Sequence, residues 1–173
     1  MNDLSQKTEL INLFQQWALH FGYIDGKIDI QSDDELAPFT TADCALTAHA
    51  PLWGTKPGEE KAIPAATVRK TLRNMLRYAK AERHDMHMGV NGNQLCLFFV
   101  VKAKLRFFPF FYIQQVPLAF VLEAANTPQG LRINEIHEWP ADSAEDALNV
   151  MVEKYGWPET SKFEKHVAFG AVS

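Results

Sequence analysis

Three sets of polar side chains in this sequence have types and spacings that could do chemistry. His49 shares a short segment with Asp43 and precedes Pro51 and Trp53. A histidine with a carboxylate partner is a general base near neutral pH; the plainer role is a hydrogen-bonded histidine at the mouth of a loop. Glu135, His137 and Trp139 recur every second residue, so in a strand they share one face with Leu131 and Ile133. A Glu and a His on an otherwise apolar face are costly unless paired or wet. That face is expected to open into a pocket; if it looks outward, all three are surface residues. His84-Asp85-Met86-His87 is the densest ligand-like run, but only Asp85 and His87 would share a face, and His137 and Glu138 are distant. A metal needs three or four converging ligands, so no metal is expected. Phe14, Trp17 and Tyr23 read as an aromatic pocket wall or as core packing, and the Tyr23 hydroxyl could orient a ligand or donate to an oxyanion.

These residues need elements to hold them. Leu10, Phe14, Trp17 and Phe21, widened by Leu13 and Ala18, form the stripe of a buried helix face. Ser5 or Thr8 would cap that helix and Gly22 would end it. A turn-rich stretch with Asp25-Gly26 follows, then a short helix or turn over Asp33 to Phe39. Asp43 to Ala50 reads as extended, with Ala45, Thr47 and His49 on one face and Cys44, Leu46 and Ala48 on the other. Residues 51–60 form a loop. A helix starts at Ile63-Pro64, with Val68, Leu72, Met75, Leu76 and Ala79 as its apolar stripe. Arg69, Lys70, Arg73 and Arg77 match its wet face.

From His84 the period becomes alternating. Four strands are expected: Asp85 to Val90, Gln94 to Arg106, Phe110 to Ala125, and Leu131 to Trp139. Asn91-Gly92 is a strong hairpin signal. Long antiparallel strands coil, and Pro117 implies an edge, a bulge or a bend. Ser143-Ala144-Glu145-Asp146 opens a last helix, with Ala147, Val150, Met151 and Tyr155 as its inner face and Gly156 and Pro158 as its stop.

The bulk numbers narrow the classes. The 173 residues suit one domain, 1–173, and the composition is that of a globular protein. A net charge of −4 leaves no basic footprint, so neither nucleic acid nor a membrane is an expected partner. The N-terminal residues lack a signal pattern, no apolar run is long enough to span a bilayer, and Cys44 and Cys96 lack a CxxC partner. The expectation is a cytoplasmic protein with two buried thiols. No Gly-rich phosphate loop, Ser-His-Asp order or reactive-cysteine context stands in the chain. Phe107 to Tyr112 places five aromatics around a turn. Something should cover them: the C-terminal helix, a dimer mate or, least expected in an acidic chain, a membrane surface.

The order of helix, turn, extended segment, Gly-containing loop, helix and strand meander resembles the nuclear transport factor 2-like superfamily. That group includes ketosteroid isomerases and cyclases of the SnoaL type. The resemblance rests on Leu10 to Gly22, Leu36-Ala37-Pro38-Phe39 to Leu46, Gly58 to Ile63, and Leu131 to Trp139, and covers about residues 8–142. It implies an α+β fold, a cone of curved antiparallel sheet on N-terminal helices (a cystatin-like roll), with an extra C-terminal helix and tail over 143–173. It also implies an apolar pocket for a small apolar molecule, a homodimer, and no cofactor. In the isomerase branch a catalytic Asp ends the extended segment; Ala48 or His49 stands there, so that base is missing. If the chain is an enzyme of the isomerase, dehydratase or cyclase type, His49 or Glu135 would move a proton and Tyr23 would polarise a carbonyl. Phe14, Trp17, Trp53 and His137 would line the ligand. The alternative is a non-catalytic interaction or assembly domain using the aromatic 107–112 turn.

Overall fold

A computed structural model describes residues 3–21, 23–24, 27–28, 38–49, 54–56, 59–107 and 112–166. The order is α1 (Asp3–Phe21), β1 (Tyr23–Ile24), β2 (Lys27–Ile28), β3 (Thr40–Ala48), β4 (Lys61–Pro64), α2 (Ala65–Leu76), β5 (Ala79–Asn91), β6 (Gln94–Leu105), β7 (Tyr112–Thr127), β8 (Gly130–Pro140), α3 (Ala144–Tyr155) and β9 (Glu164–His166). Among the described residues the strands form one sheet in the order β1-β2-β5-β6-β7-β8-β3-β4, with β9 added to β5. All pairings are antiparallel except β3 with β8. The expected α+β class and roll hold.

The sheet separates two cores. On the inner face α1 contributes Leu10, Phe14, Trp17 and Ala18, and α2 contributes Val68 and Leu76. They pack against Leu46, Leu97, Phe99, Leu122 and Ile136 of the strands. On the outer face α3 sets Ala147 and Met151 against Cys96, Phe98, Val121 and Trp139. Alternation along β6 explains the division: Leu95, Leu97 and Phe99 look inward while Cys96 and Phe98 look outward. Ser143 caps α3 by accepting a 3.0 Å hydrogen bond from the Asp146 N–H, and Gly156 ends it at φ 69°.

Several sequence expectations are corrected. α1 begins at Asp3, so Ser5 and Thr8 lie inside the helix and do not cap it. α2 stops at Leu76; Met75 is exposed and Ala79 opens β5. β5 is therefore six residues longer at its start than alternation suggested, because pairing with β6 overrides the helix preference of Lys80 to Arg83. Arg69 is only 5% exposed and does not belong to a wet face. Pro117 lies one residue outside the β7–β8 ladder, where β7 has β6 as its partner. The Asp33 to Phe39 helix, the Asp25-Gly26 turn and the aromatic turn between Phe107 and Tyr112 lie outside the described residues, apart from Pro38 and Phe39.

Candidate functional site

Polar side chains gather on both sides of the sheet. On the inner side, a cavity of about 20 Å³ lies between α1 and strands β5 to β7. That is room for one water. Its walls include Phe14, Trp17, Phe99 and Phe120, and Arg83 is the charged residue among them. The Arg83 guanidinium carbon sits 5.9 Å from the Phe99 ring centroid, within cation–π range, and Nη1 lies 4.0 Å from the Met86 sulfur. Glu138 of β8 pairs with Ala48 and Phe120, both inner-face residues, and is 1% exposed. A carboxylate and a guanidinium inside an apolar core need hydrogen-bonded partners to offset desolvation.

On the outer side, His137 lies 3.2 Å from the Glu135 carboxylate. Its ring stacks on His49 at a centroid distance of 6.2 Å, and His49 Nδ1 is 3.7 Å from Glu60. Tyr155 closes the group from α3, edge-on to His137 at 5.8 Å and stacked on Trp139 at 5.9 Å. Burial lowers the His49 pKa from its usual value, and Glu60 opposes that shift; His137 and Lys154 add to it. Burial also pushes the Tyr155 hydroxyl up to about 12, so it stays a hydrogen-bond donor. The shelf thus sets two imidazoles side by side, each with a carboxylate partner. Elsewhere His84 pairs with Glu82 and His87 with Asp85, each at 3.3 Å. Among the described residues no group of three could hold a metal ion.

No family model and no curated protein matches the sequence. Solved structures do. A protein of Kribbella flavida is 14% identical, with a TM-score of 0.50, over 85% of this chain and 99% of that one. A nuclear transport factor 2-like protein of Burkholderia xenovorans is 9% identical (TM-score 0.47; 82% of this chain, 95% of that one). A protein of Catenulispora acidiphila with a ketosteroid isomerase-like fold, in complex with trimethylamine, is 13% identical (TM-score 0.46; 84% and 96%). At these identities the likeness is one of fold, an α+β roll shared with the Kribbella flavida protein.

Within this fold the expected site residues fall into two sets. Phe14 and Trp17 line the inner cavity, whereas His49, Glu135 and His137 come together on the outer face, with the sheet between the sets. Ile133 does not share their face. A bulge in β8 pairs Ala124 with Ile133 and Glu123 with Glu135, leaving Asn134 extra, so Ile133 turns into the inner core. Tyr23 lies in β1, but its side chain, like the whole of Trp53, is outside the described residues. Sequence reasoning missed Arg83 and the inward placement of Glu138. Strict alternation after Ile133 gives Glu138 the wrong face, and no residue type announces the bulge at Asn134.

Proposed function

We propose that this protein binds a small, largely apolar molecule carrying an oxygen acceptor inside the cone, between α1 and strands β5 to β7. The observation that carries this reading is ionic chemistry in an apolar interior: Arg83 in the wall of the aromatic cavity, and Glu138 buried on the same face. Cores seldom keep such groups for packing, and functional sites commonly do. The polar side chains among the described lining residues are Arg83 and Trp17, which are hydrogen-bond donors only. Their complement is a carbonyl, carboxylate or enolate oxygen on an apolar body flanked by Phe14, Phe99 and Phe120.

If the bound molecule is also transformed, proton transfer next to a carbonyl fits this equipment, as in isomerisation, dehydration or cyclisation. Arg83 and the Trp17 N–H would hold the developing oxyanion, and Glu138 would be the inner-face carboxylate to carry the proton. His49, Glu135 and Tyr23, the residues first assigned to that chemistry, would serve it only from the outer face or from β1. The space admits one water as it stands, so binding requires α1 side chains to yield.

The test compares benzoate with toluene, the same ring with and without the acceptor, by thermal shift and by tryptophan fluorescence. We expect benzoate to raise the melting temperature and perturb Trp17 emission, with Trp17→Phe removing the fluorescence change. Arg83→Met should weaken benzoate and leave toluene unaffected; Arg83→Lys should restore part of the loss. Equal binding of both probes would refute the acceptor class. Binding of neither at millimolar concentration would refute the cone as a ligand site.

A further inference from the structure

The chain is acidic overall, at −4, but its charge is not spread evenly. Residues 73–82 and 102–107 meet where α2 ends and the β6 strand runs out. The Arg106 backbone N–H donates to the Tyr78 carbonyl at 3.0 Å, its Nε donates to the Leu76 carbonyl at 2.8 Å, and Leu105 pairs with Ala79. Within the two segments of this rim stand Arg73, Arg77, Lys80, Lys102, Lys104 and Arg106, and their own acid is Glu82, which lies 3.8 Å from Lys104.

The same rim holds the most exposed large apolar side chains among the described residues. Phe107 is 81% exposed, Tyr78 68% and Met75 43%. Leu105 is exposed as well. Along the chain the two chemistries are ordered. Lys102, Lys104 and Arg106 come first, Phe107 follows, and the sequence from Phe107 to Ile113 contains no charge. At ~3.4 Å per strand residue, the cations trail Phe107 by about 3 to 17 Å. Lys80 pairs directly with Lys104.

We propose that this rim docks on an anionic lipid surface. An apolar tip with cations a few ångströms behind it fits the layering of a membrane interface, where aromatic side chains enter the acyl boundary and Lys and Arg meet the phosphates. A single-stranded nucleic acid would use the cations, but it offers nothing to bury Met75 and Leu105, which cannot stack on bases as aromatics do. A second copy of the chain would bury the apolar groups but would set two basic rims against each other in a symmetric contact.

The experiment is co-sedimentation of the full chain with vesicles of phosphatidylcholine alone and of phosphatidylcholine with about 30% phosphatidylglycerol, at low and high salt. We expect binding to the anionic vesicles that falls with salt, and little binding to the neutral ones. Phe107→Asp should lower partitioning about tenfold or more, and Lys80→Ser with Lys104→Ser about 25-fold, at roughly fivefold per cation. Phe107 is exposed, so its variant should keep the wild-type melting temperature. Absence of binding to either vesicle, or equal binding by Phe107→Asp, would overturn the proposal. So would a concentration-dependent dimer in sedimentation velocity that Phe107→Asp disperses while vesicles stay unbound, since the rim would then be a self-association surface.

Discussion

The His49 and His137 rings stack 27° from parallel, which places two imidazoles on one outer-face shelf. His49 directly follows β3 and His137 lies in β8, its parallel partner in the sheet. Charging both rings would set like charges together. Glu60 beside His49 and Glu135 beside His137 offset that cost.

The first prediction concerns pH. His49 has a pKa lowered from its usual value, chiefly by burial. The folded state therefore binds this proton less readily than the unfolded state. Its contribution to stability is fully present above the unfolded pKa of about 6.5 and is lost as pH falls through the lower folded value. Melting temperature should decline from about pH 7 downward, and His49→Gln should flatten that part of the curve. An unchanged slope in the variant would mean that His49 is not the group responsible.

Much of this architecture was legible because burial writes a period into the chain. The stripe from Leu10 to Trp17, the hairpin at Asn91-Gly92 and the Ser143 cap each satisfy a local rule that the fold keeps. Faces were legible along β3, where Leu46 and Ala48 point inward and His49 outward. Two things were not. The bulge at Asn134 shifts the face of every residue after it, so Glu135 and His137 fell outside and Glu138 inside. The buried Arg69 and the wall position of Arg83 depend on what packs over them, and alternation or helical spacing carries no record of that.

Glu138 supplies the second prediction. Exchanging a whole buried ion pair for apolar residues of similar volume is often neutral, but removing one member leaves the other uncompensated. Glu138 is 1% exposed on the inner face. We expect Glu138→Met to lower the unfolding free energy in urea by about 3–5 kcal/mol. A value within about 1 kcal/mol of wild type would show that the fold does not depend on this carboxylate.

The thiols offer a third. Cys44 packs in the inner core and Cys96 in the outer one, with the sheet between them, and both are free. Burial pushes Cys44 up to about 11 and raises Cys96 further. Neither is a thiolate at neutral pH, and neither is accessible. Ellman's reagent should therefore titrate almost nothing in the native protein and both thiols after denaturation. Rapid reaction of one thiol in the folded state would show that its core opens.

The last prediction tests how the C-terminal residues close the outer face. Beyond α3, the Trp157 indole N–H donates to the Gln94 side chain at 2.7 Å, and its ring meets Phe163 edge-on. Both rings lie on Gly89 of β5, whose missing side chain makes the approach possible. A Cβ there would stand 2.6 Å from Phe163 Cδ1 and 2.9 Å from Trp157 Cζ3. Neither ring has slack: Trp157 is tied to Gln94 and buried, and β9 follows Phe163 directly with its ladder to β5. Gly89→Ala should therefore displace the tail and cost about 1–3 kcal/mol, the usual range for overpacking. Hydrogen exchange should rise in residues 157–166 while the α1–sheet core stays protected. Wild-type stability and protection in Gly89→Ala would mean that the tail does not rest on β5 in solution, and that the outer face beside α3 is open to a partner.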